Sequence, residues 1–242
     1  MAAEQTPAPD YGRMVAEARR AFYVMFGVLC LVWALHLVNW LTDYQLSVDG
    51  GIRAREPGSL PDLVSAPFLH VNWAHLEGNS GPLFIFGFLA AYRGVKRFLG
   101  LTALLAVTSG AAIWLFSPER SLTIGASGLV FGYFGYVVLR GLIDRNLIDS
   151  LIGVVMGASF AYILTTAVPG TPGISWQGHL GGLLGGLAGA WIFRERRPKA
   201  STAPASAPVP AQSARPGSAP AEGSAALTER QKLLKELDDL GL

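Results

Sequence analysis

The 242-residue chain is 51% hydrophobic and only 15% charged, where a soluble globular domain carries roughly 25% charged residues. Its mean hydropathy is +0.37 despite a polar tail, which excludes an ordinary soluble domain and points to a membrane protein. A net charge of +2 gives no reason to expect nucleic acid as a partner, and the single cysteine, Cys30, cannot form an internal disulfide.

Residues 1–20 are polar and end in Arg19 and Arg20, as a cytoplasmic N-terminal segment would. Residues 21–41 are then apolar almost throughout and about long enough to cross a bilayer. They lack the short apolar core and small-residue cleavage site of a signal peptide. Five further candidate spans follow at 75–92, 98–116, 122–139, 147–168 and 176–193, each near the roughly 20 residues that a spanning helix requires. The expected fold is an all-α polytopic membrane protein, with a six-transmembrane-helix bundle over 21–197.

Basic residues set the expected orientation. Arg13, Arg19 and Arg20 precede the first span, Arg93, Lys96 and Arg97 follow the second, Arg140 and Arg145 the fourth, and Arg194, Arg196, Arg197 and Lys199 the sixth. The other side has only Arg53, Arg55 and Arg120, so the positive-inside rule puts both termini in the cytoplasm. The loop 42–74 then lies outside, and its apolar and aromatic residues suit it to docking on the membrane surface. Residues 198–226 are Pro/Ala/Ser-rich and read as a disordered cytoplasmic linker. Residues 227–242 read as a short amphipathic helix, with Thr228 and Gln231 as a capping box and Leu233, Leu234, Leu237 and Leu240 on one face. A marginal helix at a free end and a docking site for a protein partner are both open for it.

Polar groups inside spans are costly and usually face the bundle interior. Counted from the expected span starts, Ser127, His179 and Asn79 lie roughly 5–8 Å below the outer helix ends. His75 sits one turn above Asn79 on the same face. A serine becomes a nucleophile when a histidine within reach removes its proton, and asparagine, histidine and backbone N–H groups can hold an oxyanion. The last span reads "GHLGGLLGGLAGAW", with Gly178, Gly182 and Gly186 four apart, and the fourth has Gly128 and Gly132. Such spacing lets helix backbones approach. Taken singly, Ser127 reads as a packing serine, His179 as a satisfied interior histidine and the glycines as structural. The shared layer is what favours chemistry.

These residues resemble the rhomboid family of intramembrane serine proteases over roughly 61–193. "GASG" is similar to the family's GxSG, "GHLGGLLGG" to its histidine–glycine pattern, and "FLHVNWAHLEGNS" to its HxxxN stretch. The resemblance implies a catalytic Ser127–His179 dyad, an oxyanion hole lined by His75 and Asn79 with the Ser127 N–H, and helix packing through Gly125, Gly128, Gly132, Gly182 and Gly186. It implies cleavage of transmembrane protein substrates near the outer face of a plasma (cell inner) membrane, with no cofactor and no metal. The sequence departs from the family pattern in two places. Pro61-Asp62 stands where many members have Trp-Arg, and Phe131 packs near His179 where a tyrosine is common. Glu77 lies about 200° around the helix from His75 and receives no catalytic role. Two other readings are a catalytically inactive relative that binds membrane segments and a small six-helix transporter. Against them stand the intact serine and histidine, the absence of a clear internal repeat, and a polar layer displaced from the midplane.

Overall fold

The computed structural model describes residues 10–195, so the expected linker 198–226 and amphipathic helix 227–242 lie outside the described residues. Among them the chain forms eight α-helices, six of them 14 residues or longer. Helix α1 (Tyr11–Leu41) starts ten residues before the apolar run, because the Asp10 side chain accepts from the Arg13 N–H and caps it. Short helices α2 (Gln45–Asp49) and α3 (Asp62–Ser65) lie in the following loop. The remaining long helices are α4 (Trp73–Ala91), α5 (Val95–Phe116), α6 (Ser127–Asp144), α7 (Leu147–Phe160) and α8 (Trp176–Ile192). A 3₁₀ segment, Ala161–Ala167, prolongs α7.

Three of these helical segments, Tyr11–Leu41, Val95–Phe116 and Leu147–Ala167, are long and apolar enough to cross a membrane. The other three are less apolar or shorter. Helix α4 carries Glu77, Asn79 and Pro82, α6 carries Arg140 and Asp144, and α8 has 17 residues. They are also better covered by protein than α7. Helix α6 is buried without a break from Gly128 to Val137, whereas α7 buries only Gly153. A helix covered on all sides by neighbours is the central element of a bundle.

The expected span 122–139 requires a correction. Leu122–Thr123 is not helical but a short strand, β2, paired antiparallel with β1 (Ile52–Arg53) in the register Ile52↔Thr123. Gly125 has φ +127°, a conformation no helical residue takes. Helix α6 therefore begins at Ser127, and GASG is the turn between strand and helix instead of an interruption within a helix. The loop 42–74 docks on protein. Leu63 packs where Gly110 of α5 has no side chain, the Trp114 indole donates to the Glu56 carbonyl at 3.0 Å, and the Arg55 N–H donates to the Trp114 carbonyl at 3.1 Å.

Helices α6 and α8 meet backbone to backbone. A methyl group on Gly182 would collide with the carbonyl of Gly128, and one on Gly186 with the carbonyl of Gly132. Helix α5 completes the contact, its Leu105 filling the space over Gly132 and its Ala112 that over Gly181. At the opposite end of these helices Arg93, Arg97, Arg140, Asp144, Asp149 and Glu195 form an ion-pair network. Arg140 reaches Asp149 at 2.7 Å and Arg97 reaches Glu195 at 3.0 Å, and Arg93 pairs with both acids. The network ties the ends of α4, α6 and α8 to the starts of α5 and α7.

The Gly186 contact sets an expected outcome. Gly186→Ala overpacks a backbone contact and should lower stability by about 1–3 kcal/mol, read as a lower unfolding midpoint in detergent. Gly27→Ala, in the interior of α1 where an added methyl meets nothing within 4 Å, should leave the midpoint unchanged or raise it, since alanine favours the helix.

Candidate functional site

At the end of the bundle opposite the ion pairs, a cavity of about 860 Å³ opens between α4, α6, α8 and the 3₁₀ segment. Ser127, His179, His75 and Asn79 all line it, together with Gly125 and Phe131. Ser127 is the first residue of α6, His179 the fourth of α8 and Asn79 the seventh of α4. All three stand in the first two turns of their helices, around one opening.

Each residue has a local reason for its place. The Asn72 side chain accepts from the His75 N–H at 2.8 Å and starts α4, and the Asn79 amide donates to the His75 carbonyl at 2.9 Å, one turn back. That bond uses one amide proton of Asn79, and an amide carries two. Gly125 donates its N–H to the Ala66 carbonyl at 2.9 Å, and an added Cβ there would lie 2.6 Å from His75 Cε1 and 2.9 Å from Nε2. Both the positive φ and the imidazole beside it require glycine. Ser127, opening α6, has no intrahelical acceptor for its N–H, because the first N–H groups of any helix are left over. The positive end of the helix dipole lies at the same place.

His179 stacks on Phe131 with ring centroids 4.2 Å apart and planes 12° from parallel. Phe131 is one turn along α6 from Ser127, so the helix that carries the nucleophile candidate also carries the ring that stacks on the imidazole. His179 Nδ1 lies 2.9 Å from the Thr166 carbonyl and 3.1 Å from its hydroxyl. Gly182 and Gly186 hold α8 against Gly128 and Gly132 directly below. Among the described residues no hydrogen bond joins Ser127 to His179; such bonds are often long before substrate arrives.

Sequence reasoning missed three features here. Thr166 contacts His179 from another element, and nothing in its surroundings marks it. His70 and His36 stand in a row behind His75: His70 and His75 have ring centroids 5.0 Å apart, and His36 and His70 6.4 Å. Both rings are fully buried, and none of their nitrogens has a hydrogen-bond partner among the described residues. The "HVNWAH" spacing hinted at the His70–His75 pair, but the approach of His36 from α1 is purely tertiary.

Fold and site together define a helical membrane protein with a polar, glycine-lined pocket at one end of its bundle. The family model described as the Rhomboid domain matches residues 57–196. An uncharacterized protein of Mycobacterium tuberculosis is 35% identical over 180 residues, covering 71% of this chain and 75% of its own. A second, from Mycobacterium leprae, is 34% identical over 75% of this chain and 78% of its own. A Bacillus subtilis protein provisionally named a rhomboid protease is 24% identical over 74% of this chain and 94% of its own. The chain belongs to the rhomboid family.

Burial pushes the His70 imidazole down from its ordinary 6.5 to about 3, with the neighbouring His75 and His36 adding to the effect. The unfolded chain therefore binds a proton near pH 6.5 that the folded chain refuses. Stability from this group is complete above pH 6.5 and is lost progressively as pH falls toward 3. Unfolding midpoints measured across that window should fall with acidification, and less steeply in His70→Gln.

Proposed function

We propose that this protein is an intramembrane serine endopeptidase that cleaves transmembrane segments of membrane proteins near the outer face of the bilayer. The observation that carries the reading is that Ser127 and His179 open into one cavity, with the Phe131 ring stacked on the imidazole. In this reading six helices span a plasma membrane with both termini in the cytoplasm.

The chemistry follows from the groups at hand. The Ser127 hydroxyl attacks a peptide carbonyl while His179 accepts its proton, and His179 then protonates the leaving amine. Water, deprotonated by the same imidazole, clears the acyl-enzyme. The oxyanion is met by the free N–H of Ser127 at the positive end of α6, by the second amide proton of Asn79 and by His75. In this reading the reaction runs on a dyad, and the cavity lining, which holds no carboxylate among the described residues, agrees with that. A helical peptide bond is already hydrogen-bonded and shielded. Substrate segments that unwind readily near the outer surface should therefore be preferred, with small residues at a glycine-walled site.

Purified protein incubated in detergent with a model transmembrane substrate and a fluorophosphonate probe tests this. Cleavage and labelling should both be abolished by Ser127→Ala, and cleavage by His179→Ala. Asn79→Ala should slow turnover by about 10²–10³-fold, the usual loss for one oxyanion donor. Full cleavage by Ser127→Ala overturns the proposal.

A further inference from the structure

We infer that Thr166 is a positioning residue for the base: it fixes His179 in the tautomer whose Nε2 carries the lone pair. The kinetic half of the inference rests on the proposed protease reading. The structural half stands without it.

A hydroxyl has one proton to give. The Thr166 Oγ1 lies 2.8 Å from the Ile163 carbonyl, and a carbonyl can only accept. The hydroxyl proton therefore belongs to that bond, and toward His179 the same oxygen is an acceptor, 3.1 Å from Nδ1. The Thr166 main-chain carbonyl, also purely an acceptor, lies 2.9 Å from the same nitrogen. With two acceptors and no donor facing it, Nδ1 must carry the hydrogen. In a neutral imidazole the other nitrogen is then the proton acceptor.

In serine hydrolases with three members, a carboxylate performs this orientation and steadies the imidazolium once it forms. Here a carbonyl and a hydroxyl from a single threonine occupy that place, as partial charges instead of a full one. Phe131, the ring under His179, has no hydroxyl to compete for either nitrogen. Ile163, Thr165 and Thr166 of the 3₁₀ segment are a wall of the cavity itself. The orientation of the base is therefore secured by the surface that a seated peptide would touch, and it holds only while that wall keeps its conformation.

Nitrogen NMR of the full chain in detergent, with all four histidines isotopically labelled, reads the tautomer directly; the His179 signal is assigned by its loss in His179→Gln. The expected result near neutral pH is a protonated Nδ1 and a bare Nε2, and a dominant Nε2–H form overturns the inference. With the model substrate, Thr166→Val should lower kcat by about two- to tenfold, the effect of one neutral hydrogen bond, with KM little changed. Thr166→Ser should restore kcat. Unchanged kcat in Thr166→Val, or an equal loss in Thr166→Ser, removes the hydroxyl from the role. Should the wild-type protein cleave nothing while His179 shows the expected tautomer, the protease reading falls and the orientation by Thr166 stands.

Discussion

The contact between the α6 and α8 backbones is the constraint from which the rest of the structure follows. Side chains cannot occupy the seam, since the carbonyls of Gly128 and Gly132 already fill the space where a Cβ of Gly182 or Gly186 would go. Within lipid, helices gain little from burying apolar surface against each other, so close van der Waals packing carries much of the association. That seam sets the separation of the two helix starts, and with it the distance across which Ser127 and His179 face the same opening. Phe131 stacks on the imidazole only because the backbones are this close.

The bundle treats its two ends differently. One is closed by a network in which three arginines share three acids across five helix ends, and it can be dense because every charge has a counter-charge. At the other, the cavity end, His75 Nδ1, Ser117 Oγ and Ser121 Oγ have no hydrogen-bond partner among the described residues. There, order comes from backbone geometry: the capped start of α4, the turn at Gly125, the free N–H at the start of α6 and the threonine behind His179. The buried His70 imidazole supports that end, which ties its stability to pH where the ion-paired end is held by charge.

Much of this was legible beforehand, for identifiable reasons. Bilayer thickness forces long apolar runs, so the helices stand out in composition, and the glycine spacing of "GHLGGLLGG" follows the helical period that the seam requires. Ser127, His179, His75 and Asn79 were visible because polar groups in apolar spans are few. The strand Leu122–Thr123 was not, because two apolar residues before a helix look like its first turn. The Asp10 cap was hidden since α1 begins among polar residues. Thr166 acts partly through its main-chain carbonyl, which every residue owns, and His36 meets His70 only after α1 packs on the loop that follows it.

The two-residue ladder between β1 and β2 has a practical consequence. It joins the loop after α1 to the turn that presents Ser127, so that loop and turn share one hydrogen-bonded frame. Surface loops of membrane proteins are the customary place for epitopes, fluorophores and inserted domains, on the assumption that they are passive linkers. In this protein an insertion near Ile52 would pull on the strand three residues ahead of the Ala126–Ser127 helix start. The loop after α1 is part of the candidate site's scaffold, and labels belong elsewhere.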